Sequence, residues 1–283
     1  MNARVLAAAA AGLVACSGVG SAQSMRPFST FRQLHGETRL DARLEFAAGA
    51  LKVVPGRRAE LYRMTLSYDA ERFLPLSTYE AAASAVRLGV ESAAGAGLRV
   101  VSRERLRQRA LVELSPTTDL DLDLTLGAGE AEVDLGGLRV ASLRLETGAS
   151  RASIRFSAPN RTRCSSAVFA AGAVDLSILR LGNSRCDKVT VEGGVGKLTL
   201  DFGGAWTMTQ HAELTLSMGE LRLRLPKHAP VRIRMDRFLS SFDANGLVRQ
   251  GNAFVTPKFD PAMPHLDIAL TCNVGAVRIE WVN

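Results

Sequence analysis

The chain has 283 residues, of which 47% are hydrophobic and only 6% aromatic. This length can bury a sizeable core, as one elongated domain or two ordinary ones. The formal net charge is +7, but no block of five like charges occurs and the basic residues alternate with acidic and apolar ones. The charge pattern therefore favours a solvated surface with a mild basic excess over a nucleic-acid-binding protein.

The first 22 residues are predicted to be a signal peptide rather than part of the fold. Arg4 gives a short positive region, and residues 5–15 form an apolar stretch too short to span a bilayer. Residues 13–16, Leu-Val-Ala-Cys, have the form of a bacterial lipobox, so Cys16 is expected to carry a lipid that anchors the protein to a membrane. If Cys16 is an ordinary residue of the apolar stretch, cleavage falls near Ala22 and the exported protein is periplasmic or otherwise extracytoplasmic.

An internal repeat of about 22 residues is the strongest signal in the chain. Each copy has an alternating apolar strand, a glycine-containing turn and a second alternating strand, as in residues 122–135 and 143–156. Two short strands cannot bury their own apolar face, so successive copies are predicted to stack into a β-solenoid. A meander or sandwich would also alternate, with turns every 8–12 residues, but the constant longer period favours the solenoid. The turn glycines are Gly127, Gly148, Gly172, Gly194 and Gly219.

This pattern predicts an all-β chain with two regions after the signal peptide. Residues 23–115 form an N-terminal β region that contains a weaker copy of the repeat, residues 44–56. Residues 116–283 form the solenoid of stacked short strands. Residues 237–265 break the repeat with two turn signals and are predicted to be a hairpin inserted before the last coil.

Stacking would place equivalent side chains of successive copies above one another. The predicted interior column is Val133, Ile154, Leu176, Leu198 and Leu221. The predicted outward column beside it has mixed charges, which indicate a solvated ladder rather than a phosphate-binding stripe. Its members are Glu132, Ser153, Asp175, Lys197 and Glu220.

Several of these strings resemble the bacterial toast-rack N-terminal domain family, among them LSPTTDLDLDLTLGAGEAEVDLGGL and LGNSRCDKVTVEGGVGKLTLDFGGAW. Residues 241–281 are similar to the C-terminal domain of LiaF-like cell-envelope stress regulators and to auto-transporter adhesin domains. The resemblance implies a β-solenoid-like domain in the bacterial envelope, and it carries over no catalytic residue. LiaF-like proteins have membrane helices before the β domain, whereas a signal sequence stands here. This departure argues against carrying over direct control of a membrane sensor kinase.

No motif in the sequence points strongly to catalysis or metal binding. Asp119, Asp121 and Asp123 share one strand face, but residues two apart lie nearly 7 Å apart, too far to hold one Ca²⁺ without help. The four histidines lack metal-ligand spacing, and no G-x-S-x-G motif is present. Glu220 beside Arg222 could suggest a glycan-cleaving carboxylate, although a surface position explains it as well. We therefore expect no enzymatic activity, no metal and no cofactor.

Three cysteines follow the signal region. Cys164 and Cys186 lie 22 residues apart, one coil, each just before the first strand of a copy. Strands stacked about 4.8 Å apart are within the Cα range of a disulfide, and export to an oxidising compartment would permit the bond. The pair is either a disulfide or two small residues in a column that tolerates cysteine. Cys272 is expected to be an inert interior thiol.

Together these features predict a non-catalytic envelope protein, lipid-anchored or periplasmic, that acts as a scaffold or interaction module and is linked to envelope stress. Its expected partners are the membrane, through the lipid, and an envelope protein whose strand adds to an exposed end strand. The alternative is a glycan-binding or glycan-cleaving envelope protein. An aromatic-lined groove would favour that alternative, but Trp206 and Trp281 are the only tryptophans.

Overall fold

The computed structural model of the chain describes residues 24–93 and 107–283. Cys16 and the predicted signal peptide lie outside the described residues. The described chain is almost entirely β, as predicted, with one short 3-10 helix at Leu181–Asn183. Its strands are β1 Met25–Gln33, β2 Arg39–Pro55, β3 Glu60–Asp69, β4 Phe73–Glu80, β5 Ala85–Ser92, β6 Arg109–Leu114, β7 Asp119–Asp134, β8 Arg139–Arg155, β9 Cys164–Leu179, β10 Cys186–Asp201, β11 Gln210–Pro226, β12 Val231–Phe242, β13 Val248–Gln250, β14 Ala253–Val255 and β15 Leu266–Val282.

Eight long strands form one parallel ladder, in the order β2-β7-β8-β9-β10-β11-β15-β12. Each long strand lies above its neighbour, which confirms the predicted stacking of successive copies. Shorter strands complete both ends of the ladder. At the N-terminal end, β5 and β6 pair with the two halves of β2, followed by β4 on one side and by β3 and β1 on the other. At the C-terminal end, the β13–β14 hairpin pairs with the first half of β12.

Each long strand turns a corner near its middle. In β7 the buried side chains are at even positions up to Leu126 and at odd positions from Ala131 onward. Alternating side chains can change parity in this way only where the strand bends. A β-carbon on Gly193, in the first half of β10, would lie 2.6 Å from Leu198 Cδ1 in the second half, so the two halves face each other. The ladder is therefore folded along one line, the crease, into two layers over a shared core.

Glycines make the crease possible. Gly129, Gly196, Gly219 and Gly275 occupy one row across the ladder, with φ between 138° and 140°. A β-carbon on Gly219 would lie only 1.9 Å from the carbonyl oxygen of Gly196 below it. Only glycine adopts this φ at low cost, and only glycine lets the backbones approach so closely.

The core between the layers is continuous and dry. Its largest fully buried side chains include Phe156, Phe169 and Phe202, and one cluster of buried apolar residues extends from Leu40 in β2 to Ile279 in β15. The predicted interior column is only partly correct. Val133 pairs with Ile154, but Ile154 pairs with Ile178, while Leu176, Leu198 and Leu221 form a neighbouring column. The alignment was wrong by two residues between β8 and β9, because a shift of two keeps every side chain on the same face.

The N-terminal region and the solenoid are not separate stacks. The weak copy predicted at residues 44–56 belongs to β2, which begins at Arg39 and pairs with β7 from Arg39–Asp119 to Val53–Val133. The predicted boundary at residue 115 falls in the loop between β6 and β7, yet β2 and β7 are direct neighbours. The described part of residues 23–115 therefore extends the same ladder at its N-terminal end.

The hairpin predicted before the last coil is present, with narrower bounds than expected. Residues 237–242 still belong to β12, and the hairpin itself is formed by β13 and β14. The last strand, β15, does not lie at the end of the ladder. It lies between β11 and β12, parallel to both.

Buried polar side chains bond the loops where one coil passes to the next. Asn160 Nδ2 donates to the carbonyl oxygens of Val140 and Ser184, at 2.8 and 2.9 Å. Asn183 Nδ2 donates to the carbonyl of Phe156, and its Oδ1 accepts from the amide of Ala205, both at 2.9 Å. These bonds satisfy loop groups that burial would otherwise leave without partners.

Candidate interaction surface

One stretch of β12 forms an uncovered edge of the folded ladder. We call residues 239–242 the open edge segment. On one side it pairs with β15, and within residues 24–93 and 107–283 no strand pairs with its other side, since β14 reaches only residues 232–234. Leu239 is 66% exposed, the highest value among the exposed large apolar side chains of the described chain. An uncovered edge with an exposed apolar side chain can accept another strand.

The direction of the backbone groups can be assigned along this segment. The amide of Asp243 donates to the carbonyl of Val277 in β15, at 3.1 Å. Successive amides of a strand alternate in direction. The amides of Ser240 and Phe242 therefore point away from β15, toward the uncovered side. The Ser240 hydroxyl donates instead to the Cys272 carbonyl, at 3.0 Å.

A buried ion cluster holds β12 against β15. Asp267 is 4% exposed and accepts two hydrogen bonds from Arg232, at 2.6 and 3.1 Å, and one from Arg234, at 3.2 Å. His211 Nδ1 lies 3.8 Å from the same carboxylate. Burial acts to raise the pKa of Asp267, but the bonds from Arg232 and the positive charges around it outweigh burial, so the pKa lies below its ordinary value.

The outward rows near the crease carry alternating charges. The row adjoining the glycines reads Glu130, Arg151, Asp175, Lys197 and Glu220. The predicted outward column was therefore wrong in its first two members, for the same two-residue reason as the interior column. Arg151 lies 3.5 Å from Glu130 and 3.8 Å from Asp175. Such exposed pairs contribute about 0–1 kcal/mol each, so the row is a solvated surface.

Three of the four carboxylates considered as metal or catalytic groups, Asp119, Asp121 and Glu220, are paired with arginines. Asp119 accepts a hydrogen bond from Arg139 at 2.8 Å, and Asp121 accepts one from Arg39. Glu220 lies 3.6 Å from Arg222 and 3.5 Å from Arg278. Within the described ranges, no group of three or more His, Cys, Asp or Glu side chains is arranged to hold a metal ion.

The structure places the predicted cysteines as follows. Cys164 and Cys186 are in direct register on β9 and β10, with Cα atoms 4.1 Å apart, and are joined as a disulfide. Formation of this bond in the cell stays a prediction. Cys272 is a free, fully buried thiol in β15, as expected. Cys16, the predicted lipid attachment site, lies outside the described residues.

Two neighbouring cavities share one aromatic wall. Each has a volume of about 500 Å³, and Trp281 and His228 line both. Arg180 and Arg224 also line the first cavity, and Lys258 lines the second. The indole Nε1 of Trp281 donates to the Asn245 carbonyl at 2.9 Å, which fixes the ring. An indole beside polar and basic groups is a surface on which a sugar ring could stack.

Sequence reasoning missed the open edge segment and the Asp267 cluster. Both depend on β15 lying beside β12, and nothing local to either strand indicates that pairing. The sequence shows Arg232 and Arg234 on one face of a strand, but Asp267, which accepts hydrogen bonds from both, lies 33 to 35 residues away.

The described part of the chain holds no helix with the length and apolarity needed to cross a bilayer.

Comparisons with known proteins found partial similarity to two solved structures. None of the curated proteins matches the chain. A candidate cell adhesion protein from Clostridium sporogenes is similar in structure, with 17% identity and a TM-score of 0.49, over 91% of this chain and 100% of that one. A candidate adhesin from Bacteroides fragilis has 10% identity and a TM-score of 0.40, over 90% of this chain and 97% of that one.

The family comparison is more specific. The profile of the N-terminal domain of toast_rack, DUF2154, matches residues 21–178. The matched range covers β1 to β8 and nearly all of β9, and so includes the first part of the folded ladder and its crease. Because this range is more than half of the 283 residues, the chain belongs to the toast-rack N-terminal domain family.

Proposed function

We propose that this protein is a non-catalytic module of the bacterial envelope that binds a partner protein by strand addition at its open edge segment. The protein is exported and is held at a membrane by a lipid on Cys16. The partner contributes an extended segment, and its binding takes part in sensing envelope stress.

The observation that carries this proposal is the uncovered backbone of residues 239–242. Within the described residues, the outer sides of β1, β4 and β13 are also unpaired, and residues 235–238 continue the uncovered edge of β12. Residues 239–242 differ from these edges in carrying Leu239, the most exposed of the large apolar side chains. Added strands gain main-chain hydrogen bonds from such an edge and side-chain contacts from its pattern. The Asp267 cluster keeps β12 rigid against β15, so the edge is ordered before a partner arrives and less ordering entropy is lost on binding.

Site-specific photo-crosslinking in intact cells tests the edge. The exposed Ser241 is replaced by a photoreactive amino acid, and the background carries either Ser240→Pro or Ser240→Ala. Proline removes the outward amide of residue 240, whereas alanine removes only the hydroxyl. We expect a crosslinked protein band that Ser240→Pro abolishes and Ser240→Ala retains. No band, or a band that survives Ser240→Pro in a normally melting protein, contradicts the proposal.

The anchor has a separate test. Cys16→Ser should move the protein from the membrane fraction to the soluble extracytoplasmic fraction, because the lipid on Cys16 supplies most of the membrane affinity. Radiolabelled palmitate should enter the wild type and not the variant. If the wild type is already soluble, cleavage near Ala22 replaces the lipid anchor.

Glycan binding is a second candidate, supported by Trp281 between its two cavities. A glycan ring stacking on the exposed part of the indole would bind with the help of Arg180 and His228, which line the cavity. A glycan array probed with wild type and Trp281→Phe tests this candidate. Specific sugar binding that the variant reduces would place glycan recognition ahead of strand addition.

A further inference from the structure

An apolar row follows the outer side of the crease. We call Ala173, Val195, Met218, Val274 and Leu239 the crease ridge. They lie on successive neighbouring strands in direct register, β9, β10, β11, β15 and β12. Val195 is 54% exposed, Met218 50% and Leu239 66%. The half-buried Val274 lies between Met218 and Leu239. Exposed large apolar side chains are common singly, but three of them in one row across stacked strands indicate a contact surface.

The rows on both sides of the crease ridge carry no charge. One residue before it stand Gly194, Ser217 and Asn273, and one residue after it stand Gly196, Gly219, Gly275 and Ser240. Charges return only in the next row, where Asp175, Lys197 and Glu220 alternate in sign. The ridge is thus the apex of a convex fold with an uncharged margin. Alternating charges beyond that margin neither attract nor repel an anionic surface strongly.

The N-terminal end of the described chain lies at the same side of the molecule. Pro27 in β1 shares a row with Ala50 in β2, through Ser67 and Arg109. Going along β2 from Ala50 to Ala48 approaches the crease, since Ala48 pairs with Ala128, the residue before crease glycine Gly129. The same direction along β1 runs from Pro27 to Met25. The chain therefore enters the fold at the crease side.

This entry point sets the orientation of an anchored protein. Residues 17–23 separate Cys16 from Ser24, the first described residue. The eight Cα–Cα steps from Cys16 to Ser24 span at most about 28 Å. In the sheet order β1 lies seven strands from β10 and ten from β12, so a lipid on Cys16 holds the N-terminal end of the crease side close to the membrane. A ladder that lies along the membrane surface from this end has its crease side against the lipid.

We propose that the crease ridge lies in the interface of the membrane that carries the lipid on Cys16. This inference rests on the anchor in the proposed function and adds an orientation and a second contact. A convex row one side chain wide suits a soft lipid interface, into which Val, Met and Leu side chains can insert. A second, weak apolar contact also supplements a lipid anchor, since stable attachment usually takes two signals.

The test uses the mature lipidated protein, purified from membranes and reconstituted on phosphatidylcholine vesicles that contain a spin-labelled phosphatidylcholine. An environment-sensitive fluorophore is attached to Met218→Cys or, as the matched control, to Thr215→Cys. Both positions are exposed on β11, but only Met218 belongs to the crease ridge. Met218 also lies two strands from the open edge segment, so a strand added there would leave it uncovered.

We expect a blue shift and at least twofold stronger quenching at position 218 than at position 215, unchanged by added salt or by phosphatidylglycerol. Equal quenching at both positions while the protein floats with the vesicles overturns the ridge contact and leaves the anchor standing. A protein that does not float overturns both. A blue shift at position 218 without vesicles, together with crosslinked dimers, overturns the membrane contact and assigns the ridge to a second copy of the chain.

Discussion

Replacing Gly219 by alanine should damage the fold far more than an ordinary glycine substitution. Gly219 lies in the crease at φ 138°, a conformation that L side chains rarely adopt. An alanine β-carbon there would lie 1.9 Å from the carbonyl oxygen of Gly196, 2.9 Å from its carbonyl carbon and 3.1 Å from its amide nitrogen. All three atoms are backbone, so no side chain can rotate away, and the strands must separate locally.

The cost can be estimated from two contributions. The φ strain costs about 1–3 kcal/mol. Separating β10 from β11 at the crease breaks about two ladder hydrogen bonds, each with a net value of about 1 kcal/mol. The sum is about 3–5 kcal/mol. For a protein of this size, one kcal/mol lowers the melting temperature by about 2–4 °C, so Gly219→Ala should lower it by about 10 °C.

Gly251→Ala is the matched control, measured by circular dichroism melting alongside the wild type. Gly251 also has a positive φ, 61°, but a β-carbon there meets no atom within 4 Å. Only conformational strain applies, about 1–2 kcal/mol, and the melting temperature should fall by about 3–4 °C. If both variants melt at the same temperature, the close approach of the strands does not explain the need for glycine at the crease.

Three further predictions concern single side chains. Asp267→Asn should destabilise the protein by about 1–3 kcal/mol at neutral pH, because it replaces the charged acceptor of the hydrogen bonds from Arg232 and Arg234 by a neutral one. The pKa of Asp267 is lowered from 3.8, so the wild-type advantage in a urea titration should be complete above about pH 5 and be lost as the pH falls through the lower folded pKa. Denatured wild type without reductant should show two fewer reactive thiols than with reductant, and Cys186→Ser should show no such difference; equal counts in the wild type would exclude the Cys164–Cys186 bond. Asn183→Ala should cost about 2–4 kcal/mol in the same titration, because it leaves the Phe156 carbonyl and the Ala205 amide without partners; a cost below that of Asn245→Ala, an exposed control, would contradict this.

The sequence allows the parallel stack to be predicted because alternation and a nearly constant period both survive in every copy from Leu122 onward. It does not determine the register to better than two residues. The spacing from Gly148 to Gly172 is longer than its predecessor, and a slip of two leaves the buried face unchanged. Between β10 and β11 the predicted columns have the observed register, since Lys197 pairs with Glu220 and Leu198 with Leu221.

The crease ridge was readable in the sequence but was not recognised. The copies read Gly-Ala-Gly, Gly-Val-Gly, Ser-Met-Gly and Asn-Val-Gly at 127–129, 194–196, 217–219 and 273–275, with an apolar residue between two small or polar ones each time. Interpreting the glycines as tight turns hid the outward position of that middle residue. The open edge segment could not be predicted, since it depends on pairing between strands more than 20 residues apart.

The position of β15 has a consequence for the order in which the strands can assemble. β12 is synthesised before β15, yet among the described strands β15 is its only parallel neighbour. Before β15 is synthesised, the edge of β11 is unpaired and β12 could pair with it. β15 must then either pair with β11 before β12 does or displace β12 from that edge. The C-terminal end of the ladder therefore cannot be completed in strict chain order, unlike the succession from β7 to β11. A chain that first adds β12 to β11 must release it before β15 can take that place.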